Sequence, residues 1–294
     1  MTAAAIRTRA TLIGFSAVLM WATLALFTTL SGAVPPFQLL AMTFGVAAVI
    51  GVVIPVVRGG RPFGHYRQRP TVWLLGVGGL FGYHFFYFLA LRNAPPVEAG
   101  LIAYLWPLLI VVFSALLPGE RLRWFHIVGA ALGLLGAGLL VTKGQSLAFD
   151  ARYTTGYLAA VVCALTWSSY SVASRKFGDV PTEAVGGFCA AAAVLAVPCH
   201  LAFETTVWPA NTLEWLAVLA LGLGPVGGAF FTWDIGVKRG DIQLLGASSY
   251  AAPLLSTLVL IGFGLAPLTW SVAAACLLIV GGACLAAKDM IIRR

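Results

Sequence analysis

Ten stretches of this chain are each long and apolar enough to cross a lipid bilayer: about 10–30, 36–57, 72–91, 97–117, 124–142, 155–174, 183–203, 212–236, 242–262 and 268–287. Roughly 20 apolar residues coiled as a helix span the ~30 Å hydrocarbon core. In lipid each backbone group must find its partner within the protein, so such runs fold as helices. Together they use most of the 294 residues and leave no room for a separate soluble domain. The sequence therefore predicts an all-α integral membrane protein of ten transmembrane helices. The first run follows Arg7 and Arg9. It is about twice as long as a signal-peptide core and more spans follow it, so it reads as a retained first helix.

The net charge of +8 points to topology rather than to nucleic acid. With ten spans both termini share one side. That side collects fifteen of the eighteen basic residues, among them Arg7, Arg58, Arg121, Arg175, Lys238 and Arg293. Only Arg92, Lys143 and Arg152 fall opposite. The positive-inside rule makes the basic side cytoplasmic, at a bacterial-type inner membrane. The five cysteines, all inside apolar runs and without Cys-x-x-Cys spacing, suggest packing rather than disulfides or metal.

A shift of 146 residues lays the chain on itself. It pairs Trp21 with Trp167, Tyr104 with Tyr250, Pro107-Leu108-Leu109 with Pro253-Leu254-Leu255, and Trp124 with Trp270. It also pairs Gly76, Gly78 and Gly82 with Gly222, Gly224 and Gly228. The chain thus reads as two five-helix repeats, 1–145 and 146–294, joined around Gln145 to Thr154. Five is odd, so equivalent helices cross in opposite senses. Inverted repeats of this kind are a transporter architecture, with the substrate site near the midplane between the halves.

These features resemble the drug/metabolite transporter superfamily in its ten-helix EamA-type branch, over essentially the whole chain. The resemblance rests on the five-plus-five plan, on Trp21 and Trp167, and on Gly-Glu-Arg-Leu at 119–122. Within that branch, Tyr104-Leu105-Trp106-Pro107 together with Tyr83 and His84 is similar to the YddG-type exporters of aromatic amino acids. Glu120 faces Ala266 across the repeat, so any role it has is one-sided.

Individual positions sharpen the site. At 100° per residue the third helix gathers Tyr83, His84 and Tyr87 on one face, which predicts that His84 looks onto an internal cavity. The alternative is an imidazole tied to a neighbouring carbonyl. The 146 shift sets Phe230 and Trp233 opposite His84 and Tyr87. Pro107 and Pro253 bend the fourth and ninth helices near their middles, beside Tyr104 and Tyr250, and free carbonyls that an ammonium could use. On a straight helix Trp106 points away from Tyr104, towards lipid; the resemblance places it in the site instead. Trp167 sits away from the interfacial belt that tryptophan prefers. The candidate substrate-binding residues are Trp21, Tyr83, His84, Tyr87, Tyr104, Trp106, Trp167, Phe230, Trp233 and Tyr250. Asp234 stands four residues before Lys238, an ion-pair spacing.

The absences narrow the function. No Lys or Arg lies inside a span, which disfavours phosphorylated cargo. No Walker A pattern, catalytic carboxylate pair, metal motif or nucleophile elbow is present, so neither an enzyme nor a cofactor is expected. The reading is a secondary exporter of aromatic or large apolar amino acids and related flat amphipathic molecules, working by alternating access without strict proton coupling. Flat cations enter as a further substrate class through the resemblance alone. The alternatives are a proton-coupled multidrug or metabolite antiporter and, further off, a channel or structural subunit. Glycine clusters at Gly76, Gly78, Gly79 and Gly82 and at Gly222, Gly224, Gly227 and Gly228 read as places where gates could seal. Gly129 and Gly133 offer a close-packing face, and the sequence leaves the oligomeric state open.

Overall fold

The computed structural model describes residues 2–145, 149–264 and 267–288. Arg293, Arg294 and Ala266 lie outside them. Nine of the expected spans appear as helices long enough to cross: α1 (Ala3–Leu30), α2 (Pro36–Val57), α3 (Pro70–Asn93), α4 (Pro96–Leu116), α5 (Trp124–Thr142), α6 (Ala151–Phe177), α7 (Ala184–Phe203), α8 (Thr212–Arg239) and α9 (Ile242–Gly262). The tenth, α10 (Trp270–Ala286), is apolar but shorter. No strand occurs among the described residues. Helix starts follow local chemistry. Proline stands at the first position of α2, α3 and α4, where its fixed φ suits the helix and its missing N–H costs nothing. Asn211 accepts from the Glu214 amide at the start of α8, and Asp241 accepts from Leu244 at the start of α9.

Four helix pairs dominate the contacts across the two halves, α1 with α8, α3 with α6, α2 with α7 and α5 with α10; α4 and α9 also touch, though α4 packs more extensively on α6 and α9 on α1. Under the 146 shift, α1·α8 maps onto α6·α3 and the other three pairs map onto themselves. Side-chain bonds show the senses of the mates. At one end, Arg7 at the start of α1 bonds Glu120 (3.2 Å), which bonds Arg175 at the end of α6 (2.7 Å). Arg7 also bonds Asp241, at the start of α9, at 3.1 Å. At the other end, the Glu204 carboxylate after α7 accepts from the Phe37 and Gln38 amides at the start of α2 (2.9 and 3.1 Å). The starts of α1, α2 and α9 thus meet the ends of their repeat mates α6, α7 and α4, as an inverted repeat requires.

Close helix approaches rest on glycine. A Cβ on Gly51 of α2 would stand 2.4 Å from the Cα of Gly186 in α7, and one on Gly14 of α1 would stand 2.8 Å from the Cα of Gly236 in α8. The small pair in α5 is used inside the molecule: Gly129 abuts the Gly282 carbonyl of α10, and Gly133 abuts the ring of Tyr250. The two glycine clusters divide in the same way under the repeat. Gly76 and Gly222 are packed hard, on Phe188 and Val46, whereas their neighbours Gly78 and Gly224 have open space where a side chain would begin. Gly78 and Gly224 therefore seal nothing in this conformation, and the close contacts belong to Gly76, Gly79, Gly222 and Gly227. Asp234 and Lys238 pair at 2.9 Å, and Thr182 donates to the other Asp234 oxygen at 2.7 Å.

Among the described residues four spans are interrupted: α1 breaks at Ala22–Thr23, just after Trp21, and three others are interrupted nearer their middles. α8 carries a π-helical turn at Gly224–Gly228. α4 breaks between Ala103 and Trp106, and α9 between Ser248 and Ala251. The last two breaks fall on Tyr104 and Tyr250, the same place in each repeat.

Candidate functional site

The interruptions and the packing of α1 against α8 bring four tryptophans together. Trp21, Trp106, Trp167 and Trp233 come from α1, α4, α6 and α8, and all six pairs of rings lie with centroids 5.1 to 6.3 Å apart. Most of the contacts are edge-on or tilted, the arrangement that the ring quadrupoles favour. Two indole N–H groups are anchored. Trp21 Nε1 donates to the Pro225 carbonyl (3.0 Å), an acceptor inside the π-helical turn, and Trp233 Nε1 donates to Ser171 Oγ (3.1 Å). Trp106, Trp167 and Trp233 are buried, and Trp21 is half-buried. The turn to lipid that a straight α4 would give Trp106 does not occur. The break two residues earlier abandons the 100° register, and the ring joins the cluster.

A second aromatic layer leans on this one. Tyr83 touches Trp167 at 5.4 Å and stacks parallel to Tyr87 at 6.2 Å. Phe230 touches Trp167 at 5.8 Å. His84 stands edge-on to Tyr83 and Phe44, both at 5.2 Å, and to Phe230 at 6.2 Å. Its Nδ1 lies 2.8 Å from the Leu80 carbonyl. A carbonyl can only accept, so Nδ1 carries the proton and a neutral ring keeps Nε2 as an acceptor. The tie to a neighbouring carbonyl is thus present, while the ring sits among aromatic groups and lines neither of the two cavities described below.

Two candidates stand apart. Tyr104 is half-buried and enters through its backbone: its carbonyl accepts from the Tyr250 hydroxyl at 3.1 Å. The carbonyl that Pro107 itself releases is that of Ala103; the Tyr104 carbonyl is released by the break and taken by Tyr250. Tyr250 is fully buried in a different apolar cluster, with Val111, Ala130 and Ala247, and not in the tryptophan layer. Conversely, Phe44 was not foreseen. It is fully buried and stacks on Phe230 at 5.5 Å. The polar residues of α2, Gln38 and Thr43, are buried with Phe44 and were the signal that could have marked its inward face. No Lys or Arg ring contact with the cluster occurs among the described residues. The site thus offers flat polarisable walls, hydroxyls and one imidazole. It suits a ring held by stacking and a cation held by π-faces.

Two surface cavities lie outside this layer. One, about 440 Å³, runs between α3 and α6 past Gly78, Thr166 and Tyr170. The other, about 380 Å³, lies near the Glu204 end, between Phe37, Phe88, Arg92 and Phe203.

Comparison with known proteins places the whole chain in one family. The model of the EamA-like transporter family matches twice, over residues 8–142 and 154–287. The chain is 58% identical over 281 residues to the aromatic amino acid exporter YddG of Ancylobacter novellus, covering 95% of this chain and 97% of that one. It is 25% identical over 293 residues to the protein of the same name from Escherichia coli, again covering 95% and 97%. A crystal structure of a protein 57% identical to this chain superposes with a TM-score of 0.92, over 98% of this chain and 100% of that one.

Proposed function

Because this chain belongs to the EamA-like transporter family, and is a transporter rather than an enzyme, we propose that it exports aromatic and large apolar amino acids, with related flat amphipathic molecules, across the bacterial inner membrane by alternating access. Exporters of amino acids among its relatives support the substrate class. The observation that carries the reading is the closed set of four tryptophans, drawn from both halves and backed by Tyr83, His84 and Phe230. Such a set selects a ring by its faces, and its mixed origin lets relative movement of the halves remodel it. The Arg7–Glu120–Arg175 network ties the starts and ends of α1, α4 and α6 at the face that the basic residues mark as cytoplasmic. Binding residues 1–145 to 146–294 there would hold that face shut until the cargo arrives.

Transport runs downhill without strict proton coupling. The buried acid of α8, Asp234, is already bound to Lys238 and Thr182. The test is counterflow in proteoliposomes. Preloaded unlabelled phenylalanine accelerates uptake of labelled phenylalanine by a carrier. Uptake indifferent to preloading would make the chain a pore. Uptake that required an imposed pH gradient would make it an antiporter.

A further inference from the structure

An unbroken α-helix would join the Leu108 N–H to the Tyr104 carbonyl. In α4 both groups instead bond one foreign atom. Leu108 N donates to the Tyr250 hydroxyl at 3.2 Å, and that hydroxyl donates to the Tyr104 carbonyl at 3.1 Å. A side chain inserted in the ladder in this way opens a helix. Pro107 removes only the bond to Ala103. The next one is lost because Tyr250 has taken both of its ends. The insertion is one-sided, since no bond from the Tyr104 hydroxyl to α9 occurs among the described hydrogen bonds.

We propose that Tyr250 is a positioning residue: its hydroxyl latches α4 open at Tyr104–Leu105 and thereby sets Trp106 in the tryptophan layer. The inference rests on the export reading above. Three features make the latch specific. The Tyr250 ring is fully buried and lies against Gly133, where any Cβ would approach its Cδ2 to 2.4 Å, so the depth of the hydroxyl is fixed from behind by α5. Tyr250 itself occupies the break of α9, the repeat mate of the α4 break. Trp106, two residues beyond Tyr104, touches Trp21, Trp167 and Trp233. A shift of α9 against α4 would therefore withdraw the hydroxyl, let Leu108 rejoin Tyr104, and rotate Trp106 away from the bound ring. The same two bonds couple the halves of the molecule to the shape of the site.

Tyr250→Phe removes the hydroxyl and keeps the ring in its slot. Without the hydroxyl Leu108 rejoins Tyr104 and the ladder closes, so hydrogen exchange of the segment around Leu108, in the full-length protein in lipid, is expected to slow about tenfold, the scale of one net hydrogen bond. The phenylalanine KM is expected to rise about tenfold while that for leucine, which has no ring to stack, stays within about threefold. Gly133→Ala, which displaces the ring and carries the hydroxyl out of the ladder with it, gives the same pattern; if that variant does not fold, Tyr250→Phe decides. Unchanged or faster exchange around Leu108 would overturn the latch, and so would slower exchange with an unaltered phenylalanine KM. A loss affecting phenylalanine and leucine alike would reduce Tyr250 to a packing residue. A wild-type protein that carries no amino acid would defeat the export reading alone, and the exchange result would still decide the latch.

Discussion

Trp21 and Trp167, 146 residues apart and equivalent under the repeat, meet edge-on with their ring centroids 5.9 Å apart. Each is the tryptophan of the first helix of its half, and the two helices run in opposite senses. Contact between repeat mates places the pair at the junction of the halves. The side chains are not equivalent in their bonding: Trp21 is pinned to Pro225, and Trp167 is held by ring contacts with Tyr83, Tyr170 and Phe230.

Trp167→Ala should therefore weaken substrate recognition more than it weakens the fold. Removing a stacking wall is expected to lower phenylalanine transport efficiency by the equivalent of about 1–3 kcal/mol, by analogy with other large-to-small losses. Protein recovered from the membrane should stay near the wild-type level. Transport measured at matched expression checks this, and wild-type efficiency would remove Trp167 from the site.

Glu120→Gln should loosen the face that holds the start of α1. Glu120 is 7% exposed and serves both Arg7 and Arg175. The neutral amide leaves Arg175, 20% exposed, without its carboxylate. A loss on the order of 1–3 kcal/mol of stability is expected, below the cost of a fully buried broken pair because Arg175 keeps its bonds to the Val237 and Gly240 carbonyls. Thr11→Cys, buried beside this network, should react faster with an impermeant maleimide from the same face in the Glu120→Gln background. Equal rates would confine the ion pairs to stability.

Glycines should sort by the space around them. Gly51→Ala drives a methyl into the Gly186 backbone and is expected to cost roughly 1–3 kcal/mol or misassemble α2 against α7. Gly78→Ala meets nothing within 4 Å and should change thermal stability by less than about 0.5 kcal/mol. Comparable melting shifts for the two variants would contradict the packing described.

His84→Gln should retain phenylalanine transport that needs no pH gradient, since an amide can still donate to Leu80 and accept from a ligand. Initial rates with the gradient present and collapsed check this. A wild-type protein that responds to the gradient, alongside a His84→Gln protein that does not, would make His84 the proton site of an antiporter.

The sequence exposed the helices and the repeat because both depend on local hydropathy and on recurring Trp, Tyr and Pro. Trp21, Trp167 and the Tyr83–His84–Tyr87 face could be read because polar or bulky residues stand out against an apolar helix. Trp106 could not be oriented by periodicity, since the 100° register ends at the break before it. The part played by Tyr250 was hidden for a related reason: a hydroxyl entering another helix's ladder depends on α4, α5 and α9 meeting, which no local pattern encodes. Phe44 was legible only through its buried polar neighbours Gln38 and Thr43, which were not used to orient α2. The glycine clusters were visible, but which glycine is packed depends on its opposite number, Phe188 or Val46 in one case and nothing in another.

The most direct measurement of the central claim is substrate protection at the aromatic layer. Tyr83→Cys, against Trp167 in the wild-type structure, is reacted with a small maleimide in proteoliposomes, in a background with the native cysteines replaced. Excess phenylalanine is predicted to slow the modification several-fold, leucine to slow it less, and glutamate to leave it unchanged. Equal rates with phenylalanine and glutamate, from a protein that still carries phenylalanine, would place the recognition site elsewhere.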